Sequence, residues 1–592
     1  MFNDKTRRWL VNKTNPEYID YISRLASVTA PLAQVLINRG MKTADQLDAF
    51  LNPDLGKLSD PFELPDLRKA IDRIGEAKRR GQLVLIHGDY DADGVTATAI
   101  MVEGLRKFGL DVHYFIPNRM LHGYGFGEAG IERAKGIGAN LIITVDCGIS
   151  SFDAVSTARS LGIEVIITDH HEPIEEIGSK GQHAREDLSD HNGSGVRRPR
   201  FQLPEAFAVV NPKLTTNHPA SRTLSGAGVA FKVIQALFNN NIDVIHPLLD
   251  LAAIGTAADV VPVIGENRII LKKALALIES GERKGIRALK EASGVRLGPI
   301  RTSHLYFSLI PRINAAGRID DANNVVRLLT TESDAEAEDL SKWLTGLNKQ
   351  RQELEESVHD EAMAMVSQTD DHLGAIVVAS ERWHPGVLGI VASRIAEAFY
   401  RPAFVFSIDS GVAKGSARSI PPFDIYAALV KCRDVLDRFG GHTQAAGLSL
   451  LSEDIGAFTQ KISDIFLNDL SSDDLIPKLT IDAVVQFSEI STQLVDEITR
   501  LEPFGYGNDE PLFGSKELEV LRPRVVGNNH LKMHLRQRGY RLDSIGFDFG
   551  GRLSDIAKAS HVDAAFLPAI NEWDGGRYLQ LYLKAIRPSV GA

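Results

Sequence analysis

The sequence predicts an α/β protein in which a parallel-sheet domain is joined by a long helix to a second α/β domain, followed by a small β-barrel domain. Three observations lead to this fold class. Strand-like and helix-like segments alternate from Leu83 to Val210, an almost unbroken helical pattern runs from Ser333 to Val366, and short strand-like runs separated by turns begin at Leu479. Alternation of this kind is typical of βαβ units, and closely spaced short strands are typical of barrels.

Size and composition narrow the class of protein. With 592 residues, of which 44% are hydrophobic, the chain is too long for a single core, and we expect about three or four domains. The two cysteines, Cys147 and Cys432, provide neither a disulfide framework nor a zinc knuckle. No apolar run has the length of a membrane span and the first residues lack the apolar core of a signal peptide, so we expect a cytoplasmic protein with no membrane partner.

The first two domains are predicted from local patterns. Short amphipathic segments broken by Pro and Gly predict a helical N-terminal cap over residues 1–66. Residues 67–330 form the predicted parallel-sheet domain, in which the segment after Gly94 is a crossover helix and residues 228–330 are the helical part.

A connecting helix is predicted for residues 331–366. Ser333 and Glu336 form a capping-box signature. Apolar residues keep helical spacing along one stripe: Leu340, Leu344, Leu347, Leu354, Val358 and Met365. Residues 367–465 then form the second α/β domain, and residues 466–592 form the barrel.

The segment LVLIHGDYDADG, from Leu83 to Gly94, carries the strongest chemical signal. His87, Asp89, Asp91 and Asp93 recur at every second residue, which in a strand places all four side chains on one face. Three crowded carboxylates are costly unless cations lie among them, so the spacing favours a metal site. An acidic turn before a helix is the alternative for this segment alone.

Two further apolar runs end in the same way. LIITVDCG ends at Asp146, and VIITDHH ends at Asp169, His170 and His171. The carboxyl ends of parallel strands line one crevice, so these side chains are expected to share a site. Asp259 interrupts the apolar stretch AAIGTAADVVPV, and a buried carboxylate there has to be neutral or paired. The combined His and carboxylate set is large enough for two ions.

HGDYDADG, VDCG and TDHH in this order, with the later segments GTAADVVPV, PRINAAGR, GSARS and GGHTQAAG, resemble the DHH phosphoesterase superfamily. Over nearly its whole length the chain is similar to the branch of bacterial exonucleases that are specific for single-stranded DNA. This resemblance implies that the parallel-sheet domain is a DHH-type catalytic domain, that the second is a DHHA1 substrate-binding domain, and that the barrel has an OB-like fold.

The cofactor expected for this site is Mn²⁺ or Mg²⁺, with two ions bound, because carboxylate oxygens with imidazole ligands suit these hard cations and the histidines favour Mn²⁺. We assign the metal ligands as His87, Asp91, Asp93, Asp146, His170 and Asp259, with Asp146 as the bridge. Asp89 and His171 are assigned as catalytic groups that face the substrate or support the ligands.

Substrate binding is assigned to other motifs. PRINAAGR offers Arg312, Asn314 and Arg318 near a Gly-containing turn, suited to hold a phosphate. Ser416 and Arg418 resemble the family's residues for the terminal phosphate, with Arg119 as a third contact. The second domain's phosphate-binding turn is assigned to Gly440, Gly441 and His442. For any single arginine, a surface ion pair is the alternative.

For nucleic-acid binding, the distribution of charge along the chain matters more than the net charge of −11. The C-terminal part is locally basic and interleaved with His and Tyr, as in surfaces that track a single strand. This set is Lys516, Arg522, Arg524, Lys532, Arg536, Arg538 and Arg541 with His530, His534 and Tyr540. An ordinary solvated sheet face is the alternative.

Residues 177–204 have hardly any apolar residue and are expected to be a solvated loop or disordered. The segment is longer than the connection usual in the resemblance. Arg197, Arg198 and Arg200 are candidates for nucleic-acid contact, but a tolerated surface insertion is the favoured interpretation.

The resemblance implies a metal-dependent exonuclease that degrades single-stranded DNA from 5′ to 3′ and releases 5′-mononucleotides in DNA repair and recombination. Its expected partners are single-stranded DNA, a single-strand-binding protein and a helicase, and a monomer is expected. Two alternatives stay open: a DHH phosphodiesterase acting on short oligonucleotides or cyclic dinucleotides, and a non-catalytic replication scaffold.

Overall fold

The computed structural model describes residues 7–123, 125–176, 185–189, 195–215, 221–295, 299–367, 374–573 and 576–589. The chain divides into two compact units. The parallel-sheet unit comprises Asp48–Asn348 and Leu501–Asp509, and the two-sheet unit comprises Met1–Leu47, Lys349–Arg500 and Glu510–Ala592.

The N-terminal segment is helical as predicted, but it starts with a strand. Its elements are β1 (Arg8–Val11), α1 (Pro16–Ala26), α2 (Ala30–Asn38) and α3 (Ala44–Leu51). Strand β1 pairs in parallel with residues near the start of the barrel, Arg8 opposite Lys478. A four-residue strand whose partner lies this far along the chain carries no local signal, so the prediction of a helical cap missed it.

The parallel-sheet unit continues with alternating helices and strands. These are α4 (Leu67–Arg79), β2 (Leu83–Gly88), α5 (Ala92–Phe108), β3 (Asp111–Phe115), α6 (Arg119–His122), α7 (Glu128–Ile137), β4 (Leu141–Val145), α8 (Phe152–Ser160), β5 (Glu164–Thr168), β6 (Ile174–Glu175), β7 (Arg185–Ser189), β8 (Gly195–Pro199), β9 (Phe201–Gln202) and β10 (Ala208–Val210). The main sheet has the order β10-β5-β4-β2-β3 with every pair parallel. The predicted parallel sheet is confirmed.

Both faces of this sheet are covered. Along β2, Val84 and Ile86 pack into one buried cluster, whereas Leu85 points to the other face and packs in a cluster with Phe126. Burial on both faces explains why the strands have nearly continuous apolar sequences. Because β2, β4 and β5 are parallel neighbours, their carboxyl ends lie at one edge of the sheet.

The helical part of this unit follows as α9 (Gly226–Leu237), α10 (Ile242–Ile245), α11 (Leu249–Ala258), α12 (Gly265–Ser280), α13 (Lys284–Ala292), α14 (Thr302–His304), α15 (Ile310–Ile319) and α16 (Asn323–Thr330). Helices α9 and α11 pack on α5. Helix α9 is buried along its whole length.

The connecting helix is confirmed as α17 (Asp334–Ser367). Ser333 Oγ accepts a hydrogen bond from the backbone N–H of Glu336 at 3.3 Å, which is half of the predicted capping box. The carboxylate of Glu336 instead accepts from Arg327 at 2.7 Å, and the N–H of Ser333 donates to Thr331 Oγ1 at 3.1 Å.

The second α/β domain contains β11 (Ile376–Ser380), α18 (Leu388–Phe399), β12 (Ala403–Asp409), β13 (Val412–Arg418), α19 (Ile425–Lys431), β14 (Arg438–His442), β15 (Ala445–Leu451) and α20 (Ile455–Asp469). Its sheet has the order β11-β12-β13-β15-β14, in which β11 and β12 are parallel and the other pairs are antiparallel.

The C-terminal elements are β16 (Lys478–Ile481), β17 (Ala483–Val484), α21 (Thr492–Arg500), β18 (Phe513–Val526), β19 (His530–Gln537), β20 (Tyr540–Gly546), α22 (Leu553–Lys558), β21 (His561–Trp573) and β22 (Gly576–Pro588). The sheet order is β17-β18-β19-β20-β22-β21, and β21 also pairs with β18. This extra pairing closes the sheet, so the predicted barrel is confirmed.

The segment 177–204 is only partly described. Strands β7 and β8 pair as an antiparallel hairpin, and β9 pairs with β6, which precedes the segment, so the expectation of a solvated loop or disorder was wrong for the residues in these strands. The side chains of Arg197 and Arg198 lie outside the described residues. None of the described helices combines the length and apolar character needed to cross a membrane.

Candidate metal centre

A strand, a turn and a helix deliver the first carboxylates. Strand β2 ends at Gly88, and Asp91 is the N-cap of α5, where its Oδ1 accepts from the backbone N–H of Asp93 and of Gly94 at 3.0 Å each. The prediction that His87, Asp89, Asp91 and Asp93 share one face of a strand was therefore wrong. The carboxylates meet because the turn folds back toward the sheet edge.

Three groups of side chains each bring one potential ligand atom per residue to within 4.8 Å of the others. The groups are Asp89, Asp91 and Asp146; Asp93, His170 and Asp259; and Asp146, His170 and His171. Asp146 follows β4, His170 follows β5, and Asp259 is the C-cap of α11. Because Asp146 and His170 each belong to two groups, the three groups form one connected centre.

Three buried polar atoms at this centre have no hydrogen-bond partner. His170 Nε2 lies 3.0 Å from Asp146 Oδ1, yet neither atom makes a hydrogen bond, and Asp89 Oδ1 is likewise buried without one. Nearly all buried polar atoms in proteins are hydrogen-bonded. Close approach without hydrogen-bond geometry fits atoms directed at a shared cation, and the donor set of carboxylates and imidazole fits Mn²⁺ or Mg²⁺.

The pKa shifts of the acidic and histidine side chains also support a cation site. Burial and neighbouring carboxylates raise the pKa of Asp89 and of Asp146 well above the ordinary value. The same causes raise the pKa of Asp93 to about 7 and that of Asp259 to about 8. Burial, with the charge of His171, lowers the pKa of His170 to about 3, which keeps this imidazole neutral. A cation among these groups would restore the charged carboxylates that a metal site requires.

Asp169 orients the two histidines, a role that the sequence analysis did not assign. Its Oδ1 accepts from the backbone N–H of His170 at 2.7 Å and lies 2.7 Å from His171 Nδ1, while Oδ2 accepts from Ile149 N at 2.9 Å. Burial raises the pKa of Asp169, but its contacts with His171 outweigh this and lower it to about 2. The signal was present in the sequence as the first residue of the DHH triplet.

His171 is held as a cation by this pair. Burial lowers the pKa of His171, but the hydrogen bond and charge of Asp169, helped by Asp259 and Asp89, raise it to about 9. Its side chain is 42% exposed, so the charged ring can reach a substrate at the centre. Asn211 Nδ2 donates to the carbonyl of His171 at 2.9 Å and fixes this backbone.

His87 lies apart from the carboxylates, contrary to its assignment as a metal ligand. It shares the sheet face of Leu85, and its ring packs against Phe126 at 5.1 Å and Phe115 at 5.7 Å between centroids. Its Nδ1 lies 3.7 Å from the Sγ of buried Cys147, and burial lowers its pKa to about 4. Side chains two residues apart in a strand share a face, so His87 follows Leu85 into the core.

The N-terminus of α9 supports the centre. The N–H groups of Gly226 and Ala227 donate to Asp93 Oδ2 at 2.6 Å and Oδ1 at 2.8 Å. A Cβ at Gly226 would lie 2.5 Å from Asp146 Oδ1, and one at Gly255 would lie 2.5 Å from Asp93 Oδ1. These two glycines let the helices approach the carboxylates, and the helix dipole favours the negative charge.

The segment PRINAAGR lies in the helix α15, so the prediction of a Gly-containing turn there was wrong. Asn314 Oδ1 accepts from Ala92 N at 2.8 Å, so it supports the acidic turn. Arg312 Nη1 donates to the carbonyl of Ser308 at 2.6 Å, back along its own helix.

Arg119 and Arg318 both act on Tyr90, in the acidic turn. The guanidinium of Arg119 lies 5.3 Å from the centre of the Tyr90 ring. Burial, with the charge of Asp89, raises the pKa of Tyr90 to about 12, and both arginines oppose that rise. These two cations therefore lie at the edge of the centre.

In the two-sheet unit, Ser416 and Arg418 lie on β13 and the residues from Gly440 to His442 lie on β14. The predicted phosphate-binding turn is thus an edge strand. Arg418 is paired with Ala445, which is paired with His442, so the side chains of Arg418 and His442 occur at one level of the sheet. Arg418 Nε donates to Ser393 Oγ at 2.9 Å, and burial lowers the pKa of Arg418.

The basic C-terminal residues lie mainly on β18, β19 and β20 of the barrel. Part of their charge is paired: Lys532 Nζ lies 3.2 Å from Asp543, and Arg536 Nε donates to Glu519 at 2.6 Å. Aromatic rings accompany them, with the Phe547 centroid 5.2 Å from that of His530 and 5.9 Å from that of Tyr582. This face combines cations and rings, as strand-tracking surfaces do.

Comparisons with known proteins agree with this architecture. Residues 83–256 match the model of the DHH family, N-terminal domain, residues 372–468 match the DHHA1 domain, and residues 481–585 match the RecJ OB domain. The single-stranded-DNA-specific exonuclease RecJ of Bacillus subtilis is 38% identical over 98% of this chain and 70% of its own length. The protein of the same name from Escherichia coli is 34% identical over 96% of this chain and 98% of its own length.

Solved structures give the same result. The crystal structure of RecJ in complex with Mn²⁺ from Thermus thermophilus superposes with a TM-score of 0.81 at 33% identity, covering 98% of this chain and 80% of that one. The corresponding structure in complex with Mg²⁺ has a TM-score of 0.75 at 31% identity, covering 98% of this chain and 79% of that one.

Proposed function

The chain belongs to the RecJ family of single-stranded-DNA-specific exonucleases, and on this premise we propose that it hydrolyses single-stranded DNA from the 5′ end, releases 5′-mononucleotides and requires Mn²⁺ or Mg²⁺. The observation that carries the proposal is the buried centre in which Asp146 Oδ1 and His170 Nε2 approach to 3.0 Å without a hydrogen bond.

The residues proposed to hold two ions are Asp89, Asp91, Asp93, Asp146, His170 and Asp259. Two overlapping groups that share Asp146 support its role as the bridge. Asp89 joins the ligands because it lies in one of these groups and its buried Oδ1 makes no hydrogen bond, whereas His171 is paired with Asp169. His87 is left out of the set because it packs in the core. When bound, such ions lower the pKa of a water and stabilise the leaving oxygen of the phosphodiester.

The chain's own groups position the reaction. The amides of α9 and the side chain of Asn314 hold Asp93 and the acidic turn in place. His171, kept protonated by Asp169, presents a charged N–H that can donate to a phosphate oxygen or to the leaving oxygen. This role keeps His171 as a catalytic group.

Substrate binding uses the two units in different ways. Arg119 and Arg318 beside Tyr90 are proposed to contact phosphates of the strand near the centre. Ser416, Arg418 and His442 are proposed to bind the terminal 5′-phosphate, which sets the polarity. The barrel face around Phe547 and Lys532 is proposed to hold the strand by stacking and charge.

The cellular setting follows from the family. We propose that the protein is a cytoplasmic monomer that acts in DNA repair and recombination together with a helicase and a single-strand-binding protein. The carboxylate set and the match to the RecJ OB domain favour a nuclease of long strands over a scaffold or a cyclic-dinucleotide phosphodiesterase.

The test is a time course with long single-stranded DNA labelled separately at each end, in Mn²⁺, in Mg²⁺ and in chelator. We expect immediate release of the 5′ label as mononucleotide while the 3′ label persists in long products. Faster hydrolysis of cyclic or dinucleotide substrates would favour the small phosphodiesterases, and no metal-dependent release from any substrate would favour a scaffold.

A further inference from the structure

Three apolar side chains are exposed on the segment that follows Asp259 and on a second segment that is bonded to it. Val260 is 61% exposed, Ile264 is 38% exposed and Tyr506 is 61% exposed. The two segments are joined, because the N–H of Val263 donates to the carbonyl of Tyr506 at 2.8 Å. Val260 directly follows Asp259, a proposed metal ligand, which places the start of the first segment next to the centre. We name Val260, Ile264 and Tyr506 the base ledge.

Val260 stands at an unfavourable position in two respects. Its φ of 56° lies in the left-handed region, which a β-branched residue rarely adopts. Its apolar side chain is also directed to solvent, although Gly or Asn would suit both the backbone and the exposure. Backbone strain of this kind persists mainly where function requires it, and here it lies next to a ligand of the centre.

Tyr506 lies in a rigid segment. Arg268, which is 1% exposed, donates to the carbonyls of Leu501 at 2.8 Å and Glu502 at 3.2 Å. Thr302 Oγ1 donates to the carbonyl of Phe504 at 2.9 Å. Asn508 Nδ2 donates to the carbonyls of Leu501 and Pro503 at 2.9 and 2.7 Å.

These bonds fix the backbone on both sides of Tyr506 while leaving most of its ring area in solvent. An aromatic ring held rigidly at the surface loses little conformational entropy when a flat ligand stacks on it. The segment therefore has the properties of a preformed binding element.

We propose that the base ledge stacks the unpaired bases of the single-stranded DNA that occupies the metal centre, and that it contributes to the discrimination against duplex DNA. This inference rests on the proposed function. Every base has a π face, so stacking on Tyr506 and Val260 is sequence-tolerant. Bases in a duplex are stacked on each other and offer no free face, so only a single strand gains this contact.

The first test combines Tyr506→Ala and Tyr506→Phe with 5′-phosphorylated oligonucleotides that carry one abasic residue, moved in turn through the ten nucleotides nearest the 5′ end. We expect Tyr506→Ala to raise KM about tenfold and Tyr506→Phe to keep it within about twofold of wild type. At one position of the abasic residue, the KM of wild type should rise by the same factor of about ten. The KM of Tyr506→Ala should not rise further at that position, because the stacked base and the tyrosine ring make one shared contact. Tyr21→Ala, which removes a 54% exposed tyrosine of α1, is the matched control with no change in KM.

The second test uses Val260→Gly, which removes the apolar side chain and relieves the strained backbone. We expect KM for single-stranded DNA to rise while the thermal midpoint stays equal to or above that of wild type. The proposed stacking role would be overturned if the effects of the abasic residue and of Tyr506→Ala on KM were additive at every position. It would also be overturned if KM were unchanged in both Tyr506→Ala and Val260→Gly. Absence of any single-strand hydrolysis by wild type would instead refute the proposed function.

Discussion

Gly226→Ala is expected to weaken metal binding and catalysis, although Gly226 is not itself a proposed metal ligand. Gly226 is the first residue of α9, and its N–H donates to Asp93. A Cβ at this position would lie 2.5 Å from the Cβ and Oδ1 of Asp146. Carbon atoms pack at about 3.5–4.0 Å, so either Asp146 or the helix has to shift by about 1 Å.

The size of the effect follows from this shift. Displacing a reacting geometry by about 1 Å can cost about 100-fold in rate, and overpacking costs about 1–3 kcal/mol of stability. We therefore expect kcat/KM on single-stranded DNA to fall about 100-fold and Mn²⁺ to bind more weakly, while the chain stays folded.

The assay measures Mn²⁺-dependent hydrolysis, Mn²⁺ titration and thermal unfolding of the same preparation. Gly136→Ala is the matched control, because Gly136 lies in helix α7 and a Cβ there would meet nothing within 4 Å. Its activity should equal that of wild type. A Gly226→Ala protein with kcat/KM within about twofold of wild type would refute the reasoning, since the close packing on Asp146 would then have no consequence.

Three further predictions concern charge and anchoring. In the metal-free protein the pKa of Asp93 is raised to about 7 and that of Asp259 to about 8, against an ordinary value of 3.8, so the folded state favours their protonated forms. The contribution of these two groups to the free energy of unfolding is complete below pH 3.8 and is lost as the pH rises through the two raised pKa values. The thermal midpoint in chelator should therefore fall from about pH 5 to about pH 9, and calorimetry should show Mn²⁺ affinity rising over the same window; a flat affinity would contradict this. Arg418→Ala should raise KM for 5′-phosphorylated strands at least about tenfold but leave 5′-hydroxyl strands unchanged, whereas Arg438→Ala, in the edge strand β14 of the same sheet and with a side chain 89% exposed, should alter neither. Arg268→Lys should lower the free energy of unfolding by about 2–4 kcal/mol in urea titrations, because an ammonium cannot reach all the carbonyls that the guanidinium binds; no change would show that these bonds contribute nothing.

Much of the fold could be predicted because its signals are local. Strands β2, β4 and β5 are buried on both faces and have nearly continuous apolar sequences, and α17 keeps one apolar stripe across its length. Strand β1 could not be found in this way, because its partner Lys478 lies at the far end of the sequence. The helix α15 was mistaken for a turn because its sequence holds both Pro311 and Gly317.

The sequence predicted which acidic residues gather at the site better than it predicted how the backbone brings them together. The carboxylates gather as expected, yet they do so through a turn and the cap of α5, so the strand alternation used to group them ends at Gly88. That alternation correctly describes His87, which shares a face with Leu85 and is directed into the core. Asp169 was passed over because its role depends on hydrogen bonds that only the folded backbone creates.

The two glycines of the site could not be identified from the sequence either. Gly226 and Gly255 lie in segments that the sequence analysis quoted, but their importance comes from contacts with Asp146 and Asp93 across different elements. Such close approach has no signature in a single sequence. It is visible only once the positions of α9 and α11 relative to the sheet edge are known.

The most direct test of the central claim is to count bound Mn²⁺ and measure hydrolysis of long single-stranded DNA in the same samples of wild type and Asp146→Asn. The account predicts two ions per wild-type chain with a spin-coupled resonance signal, at most one ion in the variant, and hydrolysis lowered by more than about 100-fold, which exceeds the cost of losing a merely supporting partner. An Asp146→Asn protein that binds the same number of ions and degrades DNA at the wild-type rate would contradict it.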